Sequence, residues 1–161
     1  MIAPFNEMPA GEAVRRLYSC FASMPWAEQV ASGRPYRDLE SLIAACEVAW
    51  SGLSPSDWIA ALAAHPRIGE SGGHSPESSE REQEGVRRAS PETMAALAES
   101  NRLYQARFGH VFLISASGRT ADEILAALRG RLRNDPETEV AIAAGEHRKI
   151  TRLRLERMLS E

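Results

Sequence analysis

The chain has 161 residues, enough for one domain with a substantial core. Hydrophobic residues make up 43% and charged residues 25%, with a formal net charge of -3 at pH 7, an ordinary globular balance. That balance gives no reason to expect nucleic acid as the main partner, and there is no apolar run of about 18 residues to span a membrane.

In chain order, the first helix is expected over 10–23 and carries Cys20. The segment 24–36 is mixed, with Trp26 and a Gly33-Arg34-Pro35 break. A helix over 37–52 follows, with Leu39, Leu42, Ile43, Cys46 and Trp50 on one face. Cys20 and Cys46 lie too far apart for a metal motif and read as buried free thiols. Ser54-Pro55, Ser90-Pro91 and Asp135-Pro136 share one grammar: a capping side chain, then proline at the first helical position, where no N–H is needed. They open helices over 54–64, 91–108 and 136–159, each with an acidic residue in its first turn (Asp57, Glu92, Glu137). A helix over 78–89 precedes the second of these, and Thr120 with Glu123 reads as a capping box for a helix over 120–133. Met94, Leu97 and, less cleanly, Leu103 form one apolar face; Ile124, Leu125, Leu128 and Leu132 form another. Val111-Phe112-Leu113-Ile114 is the one strand-like run, too solitary for a sheet, and is expected as a buried extended connector or a continuation of helix. The fold class is therefore all-α: a single-domain helical bundle of about seven or more helices over residues 1–161.

The chemistry gathers around His65-Pro66-Arg67-Ile68-Gly69. Pro66 disfavours α conformation at His65, which places that imidazole at a helix exit. The carbonyl end of a helix favours imidazolium, which suits an acid or a cationic donor. A surface or capping histidine is the plainer reading of the same position. The loop from Glu70 to Glu77 holds Ser71, Gly72, Gly73, His74 and Ser75 and is the most flexible interior segment by composition; His74 receives no role. Beyond it, Ser79, Glu82 and Gln83 stand at i, i+3, i+4 and share a face, while Glu80, Arg81, Glu84, Arg87 and Arg88 are expected to face solvent. Such a stripe also occurs on solvated helices. Arg154 lies between Leu153 and Leu155; it either clamps a carboxylate or snorkels to water beside Arg152 and Arg157. His65, Glu70, His74 and Glu82 match no compact metal-ligand spacing, and His110 and His147 stand further off, so no metal is expected. Met1 to Gly11 lacks the pattern of a secretory signal and Leu159-Ser160-Glu161 is no peroxisomal address, so a cytoplasmic location is expected.

Four segments in this order and spacing resemble the 2-oxo-4-hydroxy-4-carboxy-5-ureidoimidazoline (OHCU) decarboxylases of purine breakdown. They are His65-Pro66-Arg67-Ile68-Gly69; Ser79-x-x-Glu82-Gln83; Asn101-x-x-Tyr104-x-x-Arg107-Phe108-Gly109-x-x-Phe112-x-Ile114; and Glu146-x-x-Lys149-Ile150-x-x-Leu153-Arg154-Leu155. The resemblance runs from about residue 5 to 159. It implies an all-helical homodimer, no cofactor, and decarboxylation of OHCU to (S)-allantoin. It implies His65 as the catalytic histidine, with Glu82 orienting it or joining its proton relay. Pro66, Ser79, Gln83, the backbone near Ile114, and Arg154 would bind substrate, while Asn101, Tyr104, Phe108 and Gly109 would shape the turn into that backbone. Two other readings of the same residues are a helical module that binds a partner helix in an apolar groove, and a hydrolase in which His65 and Glu82 activate water.

Overall fold

A computed structural model describes residues 1–70, 73 and 76–161; Ser71, Gly72, His74 and Ser75 of the predicted loop lie outside the described residues. Among the described residues the regular elements are nine α-helices and one 3₁₀ turn, with no strand. The all-α expectation therefore holds. The chain divides into two compact units, Met1–Ala61 with Thr151–Glu161, and Leu62–Ile150.

The first unit contains α1 (Ala3–Glu7), α2 (Ala10–Cys20), α3 (Met24–Ser32), α4 (Leu39–Ser51), nearly all of α5 (Pro55–Ala63) and the end of α9 (Pro136–Ser160). Its core is aromatic: Phe21 packs against Trp26, Trp50 and Trp58 with ring centroids 5.1, 5.6 and 5.3 Å apart. The face predicted for 37–52 is the buried one, with Leu42 and Cys46 fully enclosed and Leu39 and Ile43 packed on the same cluster. Cys20 and Cys46 are buried and unpaired with one another by any disulfide, and burial pushes the Cys46 thiol well up from its ordinary range.

Two helices of this unit are absent from the sequence reading. The mixed segment 24–36 is mostly α3, and its start obeys the same grammar as the others, displaced by one residue. Ser23 accepts from the Trp26 N–H, and Pro25 follows at the second helical position. The 10–23 helix consequently stops at Cys20, because Ser23 is already the cap of the next. The other is α1, a helix of five residues with no side-chain cap. It is held by tertiary contacts instead: Asn6 donates to the Tyr36 carbonyl (2.8 Å) and accepts from its N–H (2.9 Å).

The second unit contains α6 (Pro76–Glu82), the 3₁₀ turn Glu84–Val86, α7 (Pro91–Phe108), α8 (Ala121–Arg131) and the first part of α9. Here the cap grammar is realised. Ser90 accepts from the Thr93 N–H, Asp135 from the Thr138 N–H, and in the first unit Ser54 accepts from the Asp57 N–H. Thr120 caps α8 through the Glu123 N–H, but the Glu123 carboxylate accepts from the Thr120 hydroxyl rather than closing the box on its backbone. The predicted 78–89 helix is broken into α6 and the 3₁₀ turn. Gly85 backs onto the Arg119 carbonyl so closely that a Cβ there would overlap it, and the chain turns to permit that approach.

The core of this unit joins Ile68, Leu97, Tyr104, Phe112, Ile114, Ile124 and Leu128, with Leu125 and Leu132 also packed. On α7 the buried face is Leu97, Ser100, Asn101 and Tyr104. Leu103 departs from the expected apolar face: it points outward and is 44% exposed. The segment 111–114 is an extended connector with Phe112, Leu113 and Ile114 buried, the first of the two alternatives its sequence allowed.

Candidate active site

His65 follows the end of α5 and precedes Pro66; its N–H donates to the Leu62 carbonyl (3.2 Å), which finishes the helix with a tight turn. The imidazole is buried, 7% exposed, which sets aside the surface reading. Its Nε2 lies 3.3 Å from Nε2 of His147 on α9, and the two rings meet edge to face at 84°.

The strap after His65 is fastened to α7. Asn101 Nδ2 donates to the Ile68 carbonyl (3.1 Å), and the Arg67 guanidinium reaches Gln105 Oε1 through two nitrogens, at 3.1 and 2.7 Å. At its far end Gly69 takes φ +93°, a left-handed conformation that glycine adopts without a Cβ penalty. The Gly69 N–H donates to Gln83 Oε1 (2.9 Å), and Gln83 Nε2 approaches the Glu70 carbonyl (3.5 Å). Gln83 thus ties the strap to the helix that follows the loop.

The polar stripe formed by α6 and the residue after it shares one face, as its spacing predicts, and that face turns inward. Ser79 and Glu82 are buried and Gln83 is partly so, while Glu80, Arg81, Glu84, Arg87 and Arg88 are exposed. Two recesses open beside this stripe. Ser79 and Gln83, with Gly69, Glu70 and Met94, line one of about 310 Å³. Glu82 opens on the other, of about 640 Å³, with Arg81, Arg88, Arg119 and Thr120 on its wall. Pro66 is partly buried next to His65.

Ile114 is 3% exposed, and a buried ionic network sets the backbone that carries it. Arg131 Nη1 donates to the Leu113 carbonyl (2.6 Å) and Nε to Glu139 Oε1 (2.7 Å). The Arg131 guanidinium also lies over the Phe112 ring, 4.5 Å from its centroid. Glu139 accepts in addition from Asn134 Nδ2 (3.1 Å) and from the Tyr104 hydroxyl. Burial and that carboxylate push the Tyr104 phenol well above its ordinary pKa, so it stays a donor. Gly109 closes α7 in the left-handed region (φ 79°), its N–H on the Gln105 carbonyl (2.9 Å), and turns the chain into the 111–114 segment. Asn101, Tyr104 and Gly109 thus occupy framework positions.

Arg154 belongs to the first unit, apart from the unit that holds the other candidates, and is described there. It is buried, 4% exposed, with Nη1 3.5 Å from the Ser19 carbonyl, so it does not snorkel to water.

Three residues that matter here carry no role in the sequence reading. Arg131 and Glu139 are an arginine and a glutamate among many, separated by a helix break, and their periodicity does not mark them as buried. His147 sits among Glu146, Arg148 and Lys149, so its charged neighbours disguise a fully enclosed side chain. Glu146 beside it is also buried, 3.7 Å from Arg119 Nη2 and 2.8 Å from Lys149 Nζ. Among the described residues no group of three His, Cys, Asp or Glu side chains is arranged to hold a metal ion.

An all-helical chain with a buried imidazole after a helix end, and a serine, a carboxylate and an amide on the next helix face, is a frame for acid–base chemistry on a small polar molecule. The chain belongs to the OHCU decarboxylase family, whose model matches residues 6–156. It is similar to the uric acid degradation bifunctional protein TTL of Arabidopsis thaliana, 34% identical over 148 residues that cover 88% of this chain and 46% of that protein. It is similar also to the 2-oxo-4-hydroxy-4-carboxy-5-ureidoimidazoline decarboxylase of Amia calva, 31% identical over 81% of this chain and 77% of the other. Among solved structures it matches a crystal structure of OHCU decarboxylase in the presence of (S)-allantoin, with a TM-score of 0.79, 34% identity, and coverage of 91% of this chain and 99% of that one. The chain spans less than half the length of the bifunctional relatives it matches. No described helix is long and apolar enough to cross a membrane.

Proposed function

We propose that this chain decarboxylates OHCU to (S)-allantoin without a cofactor, with His65 as its acid–base residue. The observation that carries the reading is the buried His65 at the mouth of the His65–Gly69 strap, a strap held by the α6 stripe through Gln83. Family membership and the similarity to a structure obtained with (S)-allantoin support this choice of substrate.

The substrate's own chemistry explains why positioned side chains suffice. The carbon that loses CO2 also bears the 4-hydroxyl and adjoins a ring C=N bond. When the carbon–carboxylate bond breaks, its electron pair forms a C=C bond to the neighbouring ring carbon, and the C=N pair moves to nitrogen, which takes a proton. The resulting enol then gives up its O–H proton while the ureido-bearing carbon gains one, producing the ring carbonyl. The imine is an internal electron sink, so the protein contributes orientation and electrostatics. One proton is consumed overall for each CO2 released, and delivery of the proton that the ureido-bearing carbon gains to one face of the ring gives the S product.

In this reading His65 meets the 4-hydroxyl or the departing carboxylate and handles a proton, and Glu82 orients it or joins the relay. Ser79, Gln83 and the Ile114 backbone hydrogen-bond the ureido and ring amides, Pro66 forms part of the wall, and Arg154 clamps a carboxylate or carbonyl oxygen. The protein acts as a homodimer in the cytoplasm on a small-molecule substrate.

The test uses freshly generated OHCU with circular dichroism and CO2 detection. The wild-type chain should release CO2 and build an (S)-allantoin signal, and His65→Ala and His65→Asn should lose kcat by about a hundredfold or more. Glu82→Ala should lower kcat, whereas a loss in Ser79→Ala confined to KM would mark Ser79 as a uniform binder. Variants at His65 that keep rates within about threefold of the parent would remove it from the chemistry. Ureido cleavage without CO2 would replace the decarboxylase with a hydrolase, and light scattering that gives a monomer mass would refute the dimer.

A further inference from the structure

We infer that His147 is a positioning residue for this reaction, holding the His65 imidazole by a direct ring-to-ring hydrogen bond. The inference rests on the proposed role of His65 and adds a second histidine to it.

The geometry is specific. His147 is fully buried on α9, and its Nε2 faces Nε2 of His65 at 3.3 Å with the rings 84° apart. Two N–H groups cannot both point along one such line, so a single proton occupies it: one ring donates and the other accepts. The tautomer of either ring therefore fixes the tautomer of the other. His65 has its backbone held by Pro66 and by the bond to Leu62, neither of which restrains rotation of the ring. The contact with His147 does restrain it. It commits Nε2 of His65 to a protein partner and so fixes which ring nitrogen carries the shared proton. Glu146, next in sequence, turns its carboxylate to Arg119 and Lys149, so it does not substitute for the imidazole.

A buried imidazole pair is not a packing necessity, because a side chain of similar size without nitrogens fills the same space. His147→Leu keeps the volume and removes the bond, while His147→Gln returns a group able to donate or accept. Both variants are assayed with OHCU beside the wild type and His65→Ala, with far-ultraviolet circular dichroism and melting as controls for folding. The leucine variant should lose kcat by about tenfold or more with KM moved less than about threefold, and the glutamine variant should recover most of that loss. Nitrogen-15 NMR on histidine-labelled protein gives a readout independent of turnover: wild-type His65 should show one fixed tautomer, and His147→Leu should release it to averaging between two. A folded leucine variant with parental kcat and an unaltered His65 spectrum overturns the inference. Equal losses in the leucine and glutamine variants overturn it as well, by showing a purely structural demand for histidine. If the leucine variant does not fold, the wild-type spectrum decides, since tautomer averaging at His65 there rules out the bond. A wild-type chain inactive on OHCU, by contrast, removes the proposed function and this role together, whereas an active wild type with an indifferent His147 removes this role alone.

Discussion

Arg131→Met removes the centre of the network behind Ile114. Arg131 is the donor to both Glu139 and the Leu113 carbonyl, its side chain 10% exposed and that of Glu139 fully buried. Methionine keeps most of the volume and the contact with Phe112, so the loss is mainly electrostatic. It leaves a buried carboxylate with Tyr104 and Asn134 as its remaining donors among the described residues, and takes the Arg131 donor from the Leu113 carbonyl. Removing one member of a buried pair costs about 3–5 kcal/mol. For a chain of this size each kcal/mol moves the melting temperature by about 2–4 °C, so a fall of roughly 6–20 °C is expected. Chemical denaturation and calorimetry on the wild type, Arg131→Met, Glu139→Leu and the double variant measure it. The double variant should be more stable than the sum of the single losses by about 1–3 kcal/mol, because no unpaired charge remains. As a control, Arg102→Met breaks an exposed pair with Glu99 and should leave the melting temperature essentially unmoved. A cost below about 1 kcal/mol for Arg131→Met, or strict additivity in the double variant, would refute the argument that burial makes this pair indispensable.

Gln83→Ala frees the Gly69 N–H and loosens the strap; kcat/KM should fall about tenfold while the melting temperature drops by only a few degrees, as turnover and melting curves will read. Gly85→Ala drives a Cβ into the Arg119 carbonyl, and the backbone shift required should cost about 1–3 kcal/mol in denaturation and lower activity through the adjoining Glu82 recess. Asp135 caps α9 and its carboxyl is held below its ordinary value of 3.8, first by the Thr138 N–H and then by the Thr138 hydroxyl. A depressed carboxyl contributes stability that is complete above its unfolded pKa and fades as pH falls through the lower folded value. Asp135→Asn still caps but does not titrate, so it should flatten the acid limb of the stability curve below about pH 4 and leave neutral stability nearly unchanged.

The helices were legible where the chain marks its own boundaries. Ser90-Pro91 and the left-handed Gly109 bracket α7 at the predicted 91–108, and local chemistry sufficed at both ends. Ser23-Met24-Pro25 carries the same information one residue out of step, and Trp26, Ala27, Val30 and Ala31 all fall on the buried side of α3; in the sequence these signals compete with the Gly33-Arg34-Pro35 break that follows them. By contrast, α1 has Pro4 at its second position but no side-chain cap, and its turn is stabilised by Tyr36, distant in sequence. Spacing puts Ser79 and Glu82 on one face, a pattern that solvated helices share, and only the folded chain shows that this face is buried. Neither the His65–His147 contact nor the Arg131–Glu139 pair follows from spacing, because each joins elements whose packing only the folded chain fixes.

Circular dichroism at allantoin wavelengths, recorded while OHCU is mixed with wild-type protein and with His65→Ala, tests the proposed chemistry most directly. The wild type should produce a signal of one sign that rises with CO2 release, and the variant should leave only the slow, unsigned background decay. Racemic product from the wild type, or a signed signal of undiminished rate from His65→Ala, would contradict the assignment of His65.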